Sequence, residues 1–483
     1  MIYVSTRGGA SGLAFDDVVL AGLARDGGLY LPTEWPRLSA AEFRDLGRLS
    51  YPHLAARLLA LFARPVIDEA TLAELCERAY ARFDHQPDVA PLRPVAGDDN
   101  LWLLELFHGP TLSFKDYALQ ILGPLFDLVL ARRGERITIV GATSGDTGSA
   151  AIEACRDRAA IDIFMLHPTG RVSEVQRRQM TTVDAANVHN LAVDGTFDDC
   201  QGLVKALFND APFRDRYRLA AVNSINWARI AAQITYYVHA ALQLGAPERI
   251  VNFAVPTGNF GNVFAAWAAR QMGLPISRLI IGSNRNDILT RFFSSGTMEK
   301  ASVHATLSPS MDIQVSSNFE RYLFELYDRD ATAVGRMMDA FRDEGVFAVD
   351  EAHWRRALRV FAAHRLDDAA TTEVMRSVYA DTGMLIDPHT AIGVAAARAQ
   401  RKAVDGPIVA VATAHPAKFP EAVEAATGMR PSLPPGLADL LVRPEHCRNI
   451  GARVEEIEGC IAAALGRRGS GGQQEDGGQG QDE

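Results

Sequence analysis

The sequence is poor in cysteine and has no apolar stretch long and uncharged enough to cross a bilayer, so no membrane partner is expected. Its five cysteines, Cys76, Cys155, Cys200, Cys447 and Cys460, never fall at CxxC spacing. That argues against a disulfide framework or a zinc site and fits a reducing, cytoplasmic setting. Positive charge is also short: 49 Lys and Arg stand against 59 Asp and Glu, a net −10. No basic footprint for nucleic acid follows from that balance. HExxH, GK[ST] after a glycine loop, and GxGxxG are all missing, which weakens zinc-protease, NTPase and nicotinamide readings, and no metal is expected. The opening MIYVSTRGGASG lacks a basic region followed by an apolar run, so it does not read as a signal peptide.

What is present is ordinary globular material, 48% apolar over 483 residues, enough for two or three domains. Residues 39 to 82 carry apolar residues at helical spacing, with Ser39 and Asp68 as N-caps. The proline-rich PDVAPLRPV then marks a boundary. From about residue 100 the pattern becomes strand, short polar loop, helix. LWLLELF, ITIVGA, IDIFMLHP, IVNFAVP, RLIIGS and IVAVATAH are the strands. This alternation predicts an α/β fold with largely parallel sheets, whose ligands gather at the carboxyl ends of the strands.

Five polar segments carry candidate chemistry, four of them following such strands. In HGPTLSFKDYALQ, Lys115 sits between aromatics at a helix start, where lost hydration lowers an amine's pKa and makes it a nucleophile and base. A surface lysine paired with Asp116 is the plainer alternative. In ATSGDTGSAA, Thr143, Ser144, Asp146 and Thr147 precede a helix, as an anion loop or as a simple cap. In VPTGNFGNVFAA, Gly258 and Gly261 bracket a turn suited to a phosphate at a helix N-terminus, with Asn259, Phe260 and Asn262 between and after them. In VATAHPAKFP, Thr413 follows a buried strand; His415 reads as structural, and Lys418 lies nearby. In NSINWARIAAQ, Ser224, Asn226 and Arg229 form a polar, charge-assisted anion site or a helix start with a solvated arginine.

In this order, with YVSTRGG, DGGLYLP, SPSMDIQVSSNFER and IDPHTAIG, these segments resemble the threonine synthases. The resemblance spans most of the chain up to about residue 467. It implies the tryptophan-synthase-β-like fold type II: two parallel-sheet α/β domains enclosing a cofactor cleft, behind an N-terminal helical and mixed segment. The implied segments are 1–95, 96–235 and 236–467; the Gly- and Gln-rich 468–483 is expected to be a disordered tail. The implied cofactor is pyridoxal 5'-phosphate. Lys115 would hold its aldehyde, Gly258, Asn259, Phe260, Gly261 and Asn262 its phosphate, and Thr413 its ring nitrogen. Asp146 stands where relatives of other subfamilies place an asparagine against the ring hydroxyl. Thr143, Ser144 and Thr147 would face the substrate carboxylate. Ser224, Asn226, Arg229 and Lys418 are the candidates for the substrate phosphate.

The implied reaction converts O-phospho-L-homoserine and water to L-threonine and phosphate, the last step of threonine biosynthesis. Lys115, once freed, would move the α and β protons. Two other readings compete: a dehydratase or phospho-lyase on the same fold, and a metabolite sensor that kept the fold without the chemistry. The sequence leaves the oligomeric state open.

Overall fold

The computed structural model describes residues 1–470, with side chains up to 466. The expected tail, 468–483, lies outside the described residues except for its first three, which close the helix Val454–Ser470. Two parallel sheets organise the chain. The larger has six strands in the order Phe361–Arg365, Ile276–Ser283, Val251–Pro256, Ile408–Ala412, Leu101–Glu105 and Leu92–Pro94. All its pairings are parallel except the last. The smaller has five, in the order Arg448–Ile450, Val188–Val193, Ile161–Pro168, Ile137–Ala142 and Leu219–Ala220, all parallel.

The central strands are apolar and buried along their whole length, as strands covered by helices on both faces must be. Helices Trp227–Gln243 and Pro388–Gln400 are buried over most of their length. At the N-terminus, Tyr3–Ser5 pairs with Ser11–Leu13 and Tyr30–Pro32 in an antiparallel sheet. The expected caps are in place: Ser39 Oγ accepts the Glu42 N–H, and an Asp68 carboxylate oxygen accepts the Thr71 N–H. This segment packs on helix Trp227–Gln243 through Tyr3, whose hydroxyl donates to Phe62 O within the segment and accepts from Trp227 Nε1.

Two features depart from a division into consecutive segments. PDVAPLRPV is no linker: its Leu92–Pro94 is an antiparallel edge strand on Leu101–Glu105. Pro94 is tolerated there because an edge strand leaves one side unpaired. Leu101–Glu105 in turn lies beside Ile408–Ala412 in the larger sheet, although the residues that follow it build the smaller one. Conversely, Arg448–Ile450 crosses back to edge the smaller sheet. The lobes are therefore discontinuous in sequence, and the ranges 96–235 and 236–467 each contain strands of both.

Candidate active site

The carboxyl ends of the strands bring the polar segments together. After Leu101–Glu105 the chain is stitched to the segment after Ile408–Ala412 by three backbone bonds. Leu106 N donates to Ala412 O at 2.9 Å, Phe114 N to Thr413 O at 2.9 Å, and His415 N to Leu112 O at 3.0 Å. Lys115, the next residue, is thereby set at the head of helix Asp116–Arg133 beside buried Thr413. Lys115 is itself buried, 6% exposed. Burial drives its pKa below the ordinary lysine value, helped by the charges of Lys418 and Arg229 and opposed by Asp146. The surface-lysine alternative fails on this burial, and Asp116 does not pair with it. Instead Asp116 accepts from Thr111 N at 2.8 Å and Thr111 Oγ1 at 2.7 Å, and burial lifts its pKa to about 6.

Asp146 is the hub of the site. It opens helix Asp146–Cys155 after the smaller sheet's Ile137–Ala142. Its Oδ1 lies 2.8 Å from Lys418 Nζ and 2.8 Å from Gln176 Nε2. Its Oδ2 lies 3.3 Å from Lys115 Nζ and 2.9 Å from Ser310 Oγ. Burial favours the protonated acid, but the two ammonium groups outweigh it and hold Asp146 well below the ordinary carboxylate range. Ser310 is fixed in turn: its N–H donates to His389 Nε2 at 3.3 Å, and His389 Nδ1 is 2.6 Å from Asp387 Oδ2. Asp387 also caps its helix through the N–H groups of His389 and Thr390.

The remaining residues of the 143–147 loop divide by orientation. Thr143 turns inward, its Oγ1 accepting the N–H of Gly145 and of Gly148 at 2.9 Å each. Thr143, not Asp146 or Thr147, thus shapes the helix start, and its hydroxyl oxygen is engaged by the loop's own backbone. Ser144 is exposed and Thr147 half-buried, so these two hydroxyls remain accessible.

The 257–262 loop turns through Phe260 at φ 63°, a left-handed residue that starts helix Gly261–Gln271. The Phe260 ring is buried against Phe319, Tyr322 and Phe361, so only its backbone can meet a ligand. The segment 308–321 braces the loop: Ser316 Oγ donates to Gly258 O at 2.7 Å, and Asn318 N to Asn259 O at 3.0 Å. A Cβ on Gly258 would come 3.2 Å from Ser310 O, and one on Gly261 3.1 Å from Asn318 Nδ2. Asn262 Oδ1 is taken by the hydroxyls of Tyr236 and Tyr237 at 2.5 and 2.7 Å, while its Nδ2 is buried with no partner.

The NSINWARI segment separates into two parts. Asn226 is spent on structure: its Oδ1 caps helix Trp227–Gln243 at Ala228 N, and its Nδ2 donates to Val19 O at 2.8 Å. It is fully buried, which corrects its assignment to the substrate. Ser224 is half-buried, with its carbonyl held by Asn318 Nδ2. Arg229 does not lie on a solvated helix face, the plainer of its two readings. It is 3% exposed, its Nε and Nη1 have no hydrogen-bond partner, and burial lowers its pKa to about 10. A buried guanidinium with free donors calls for an anion.

Lys418 does not offer its charge to solvent. Its side chain is fully buried, and Nζ also donates to Thr111 O at 2.7 Å. His415 is structural, as expected: its Nδ1 accepts the Ala417 N–H, and burial lowers its pKa to about 4. Gln176, Ser310, Asp387 and His389 were not singled out from the sequence. Ser310 lies within SPSMDIQVSSNFER, and Asp387 and His389 within IDPHTAIG, whereas nothing local in Gln176 marks it.

This arrangement fits a phosphorylated, aldehyde-bearing cofactor. It combines a buried lysine of lowered pKa, a helix head with an orphaned Asn262 amide, and a strand-end hydroxyl at Thr413. Comparison with known proteins gives the same picture. Residues 88–364 match the family model "Pyridoxal-phosphate dependent enzyme", residues 2–80 "Threonine synthase N terminus" and residues 390–461 "Threonine synthase, C-terminal". The chain is 54% identical over 463 residues to the threonine synthase of Pseudomonas aeruginosa, covering 96% of this chain and 98% of that one. The crystal structure of PLP-bound threonine synthase from Brucella melitensis superposes with a TM-score of 0.93 at 51% identity, covering 96% of this chain and 99% of that one. The yeast threonine synthase structure gives 0.92 at 40% identity, with 96% and 99% covered. With matches to all three family models and near-complete coverage of its relatives, the chain belongs to the threonine synthase family of pyridoxal-phosphate-dependent enzymes.

Proposed function

We propose that the protein converts O-phospho-L-homoserine and water to L-threonine and phosphate, the last step of threonine biosynthesis, with pyridoxal 5'-phosphate as cofactor. The observation that carries this reading is the pairing of two unlike buried cations within electrostatic reach of each other. One is Lys115, with a lowered pKa, and the other is Arg229, with free donors. A phospholyase needs both a neutral amine for proton transfer and a fixed cation for the departing phosphate.

Each residue then has defined work. Lys115 binds the cofactor aldehyde and, when released, takes the α proton and moves the β proton. The backbone of Gly258–Asn262 and the Asn262 amide hold the cofactor phosphate at the helix head. Thr413 meets the ring nitrogen, and Asp146 lies toward the ring hydroxyl. Ser144 and Thr147 hold the substrate carboxylate. Arg229, with Ser224 beside its helix, holds the substrate phosphate as charge leaves the γ carbon. Bound there, the cofactor supplies the electron sink that makes proton removal at the substrate's α carbon feasible.

No helix among the described residues is long and apolar enough to cross a membrane, and the five cysteines are free. We further propose that the protein acts in the cytoplasm on a small molecule and not on nucleic acid. The purified, cofactor-loaded protein supplied with O-phospho-L-homoserine should release L-threonine and phosphate one to one, and Lys115→Ala should release neither. Formation of 2-oxobutyrate without threonine would overturn this reading in favour of a lyase on the same fold.

A further inference from the structure

We infer that Lys418 is a positioning residue whose ammonium stays on Asp146 when Lys115 is drawn away to the cofactor, so that the buried carboxylate is never left without a cation. The inference rests on the proposed function in one respect only, that Lys115 is the residue that binds the cofactor.

The two lysines grip opposite oxygens of one carboxylate. Lys418 Nζ lies 2.8 Å from Oδ1 and Lys115 Nζ 3.3 Å from Oδ2. All three side chains are nearly or wholly inaccessible to water. Lys115 cannot serve as a lasting counter-ion. Its nitrogen is bonded to the cofactor at one stage and must be a neutral amine at another. Were it the sole cation, Asp146 would be stranded as a buried, unpaired charge, a strongly unfavourable state.

Lys418 is built for permanence instead. It ends the short turn Pro416–Lys418, whose start is capped by the His415 ring. Its ammonium is tied a second time to Thr111 O at 2.7 Å, and its side chain has no exposure through which to leave. The other two partners of Asp146, the Gln176 amide and the Ser310 hydroxyl, fix its orientation but carry no charge. Where a neutral amide would need no counter-charge at this place, a carboxylate needs one that does not take part in the reaction. Lys418 meets that need from the far side of the carboxylate.

The test is a charge-deletion cycle of parent, Lys418→Met, Asp146→Asn and the double variant. Each is loaded with pyridoxal phosphate and followed by the visible absorbance of the bound cofactor, and each is also melted without cofactor. Lys418→Met alone should weaken cofactor binding by roughly tenfold or more, because it unbalances a buried charge. The double variant, with both charges gone, should return to within about threefold of Asp146→Asn alone, the non-additivity expected of partners. In the cofactor-free proteins Lys115 still pairs with Asp146, so the double variant, which leaves Lys115 without an anion, should melt no higher than Lys418→Met. A parental cofactor affinity and spectrum in Lys418→Met would overturn the inference. So would additive losses in the double variant, which would mean that Lys418 acts only through Thr111. Neither arm uses substrate, so failure here is distinct from failure of the reaction assignment.

Discussion

Arg229 sets up a trade of stability for function that can be measured in one substitution. Its guanidinium is buried, two of its nitrogens are unpartnered, and its pKa falls to about 10. A fall of that size corresponds to about 3 kcal/mol lost from the charged form in the folded chain. Because the folded-state pKa of a cation is depressed, this penalty is fully present at neutral pH and is relieved only as pH rises past about 10. Arg229→Met keeps much of the side-chain volume and removes the charge, so the cofactor-free protein should gain up to about 3 kcal/mol. At this chain length roughly 1 kcal/mol corresponds to about 1 °C, so the melting midpoint should rise by about 2–3 °C. Inorganic phosphate at about a hundred times its dissociation constant should raise the parent by a similar amount, about 2.7 kcal/mol, and leave the variant unmoved. In the loaded enzyme, losing charge-assisted bonds worth about 1.5–3 kcal/mol should raise KM for O-phospho-L-homoserine roughly 10- to 150-fold. Differential scanning fluorimetry with and without phosphate, followed by steady-state kinetics, decides the matter. A variant that melts lower than the parent and is still protected by phosphate would refute the reasoning, because Arg229 would then be a structural cation already satisfied.

Two further substitutions probe the frame around the site. His415 has its folded-state pKa pushed down to about 4 from 6.5 by burial and then by the neighbouring His108. Its contribution to stability is therefore present above 6.5 and is lost as pH falls toward 4, costing about 2 kcal/mol between pH 7.5 and 5. His415→Gln should flatten that part of the urea-midpoint profile, and an unchanged slope would count against the assignment. Phe260→Gly relieves a left-handed backbone worth about 1 kcal/mol but empties a ring site worth about 3–4 kcal/mol. The variant should be less stable by about 2–3 kcal/mol and bind cofactor more weakly, whereas a net gain in stability would contradict the packing role.

The parts of the site that are contiguous in sequence were legible in it. The Gly258–Asn262 loop and Thr413 follow strand ends and Lys115 stands at the head of the next helix, positions that short apolar runs and helix starts make readable. What could not be read was which strand lies beside which. Leu101–Glu105 reads as the opening of one lobe but pairs with residues 408–412, and pairing over that separation leaves no local trace. The same holds for Asp146, whose partners Lys418, Gln176 and Ser310 come from three distant segments. Asn226 was misjudged for a different reason. An asparagine before a helix is equally good as a cap or as a ligand, and only its bond to Val19 O settles the choice. For Arg229 the sequence leaves an anion site and a solvated face open, because burial of an arginine depends on what the rest of the chain lays over it.

The order of strands in the larger sheet has a consequence for how the protein is made. Ile408–Ala412 lies between Val251–Pro256 and Leu101–Glu105, yet it is the last of the six to leave the ribosome. Until it emerges, the two flanking portions of that sheet have no common neighbour, and each presents a bare edge. The smaller sheet waits longer still, since Val188–Val193 is covered only once Arg448–Ile450 has emerged. Assembly is thus dominated by late, long-range pairings, the regime in which folding is slow and exposed edges invite association. The backbone bonds that seat the Lys115 loop come from residues 412–415, so a nascent chain lacking them holds Lys115 without the burial that lowers its pKa.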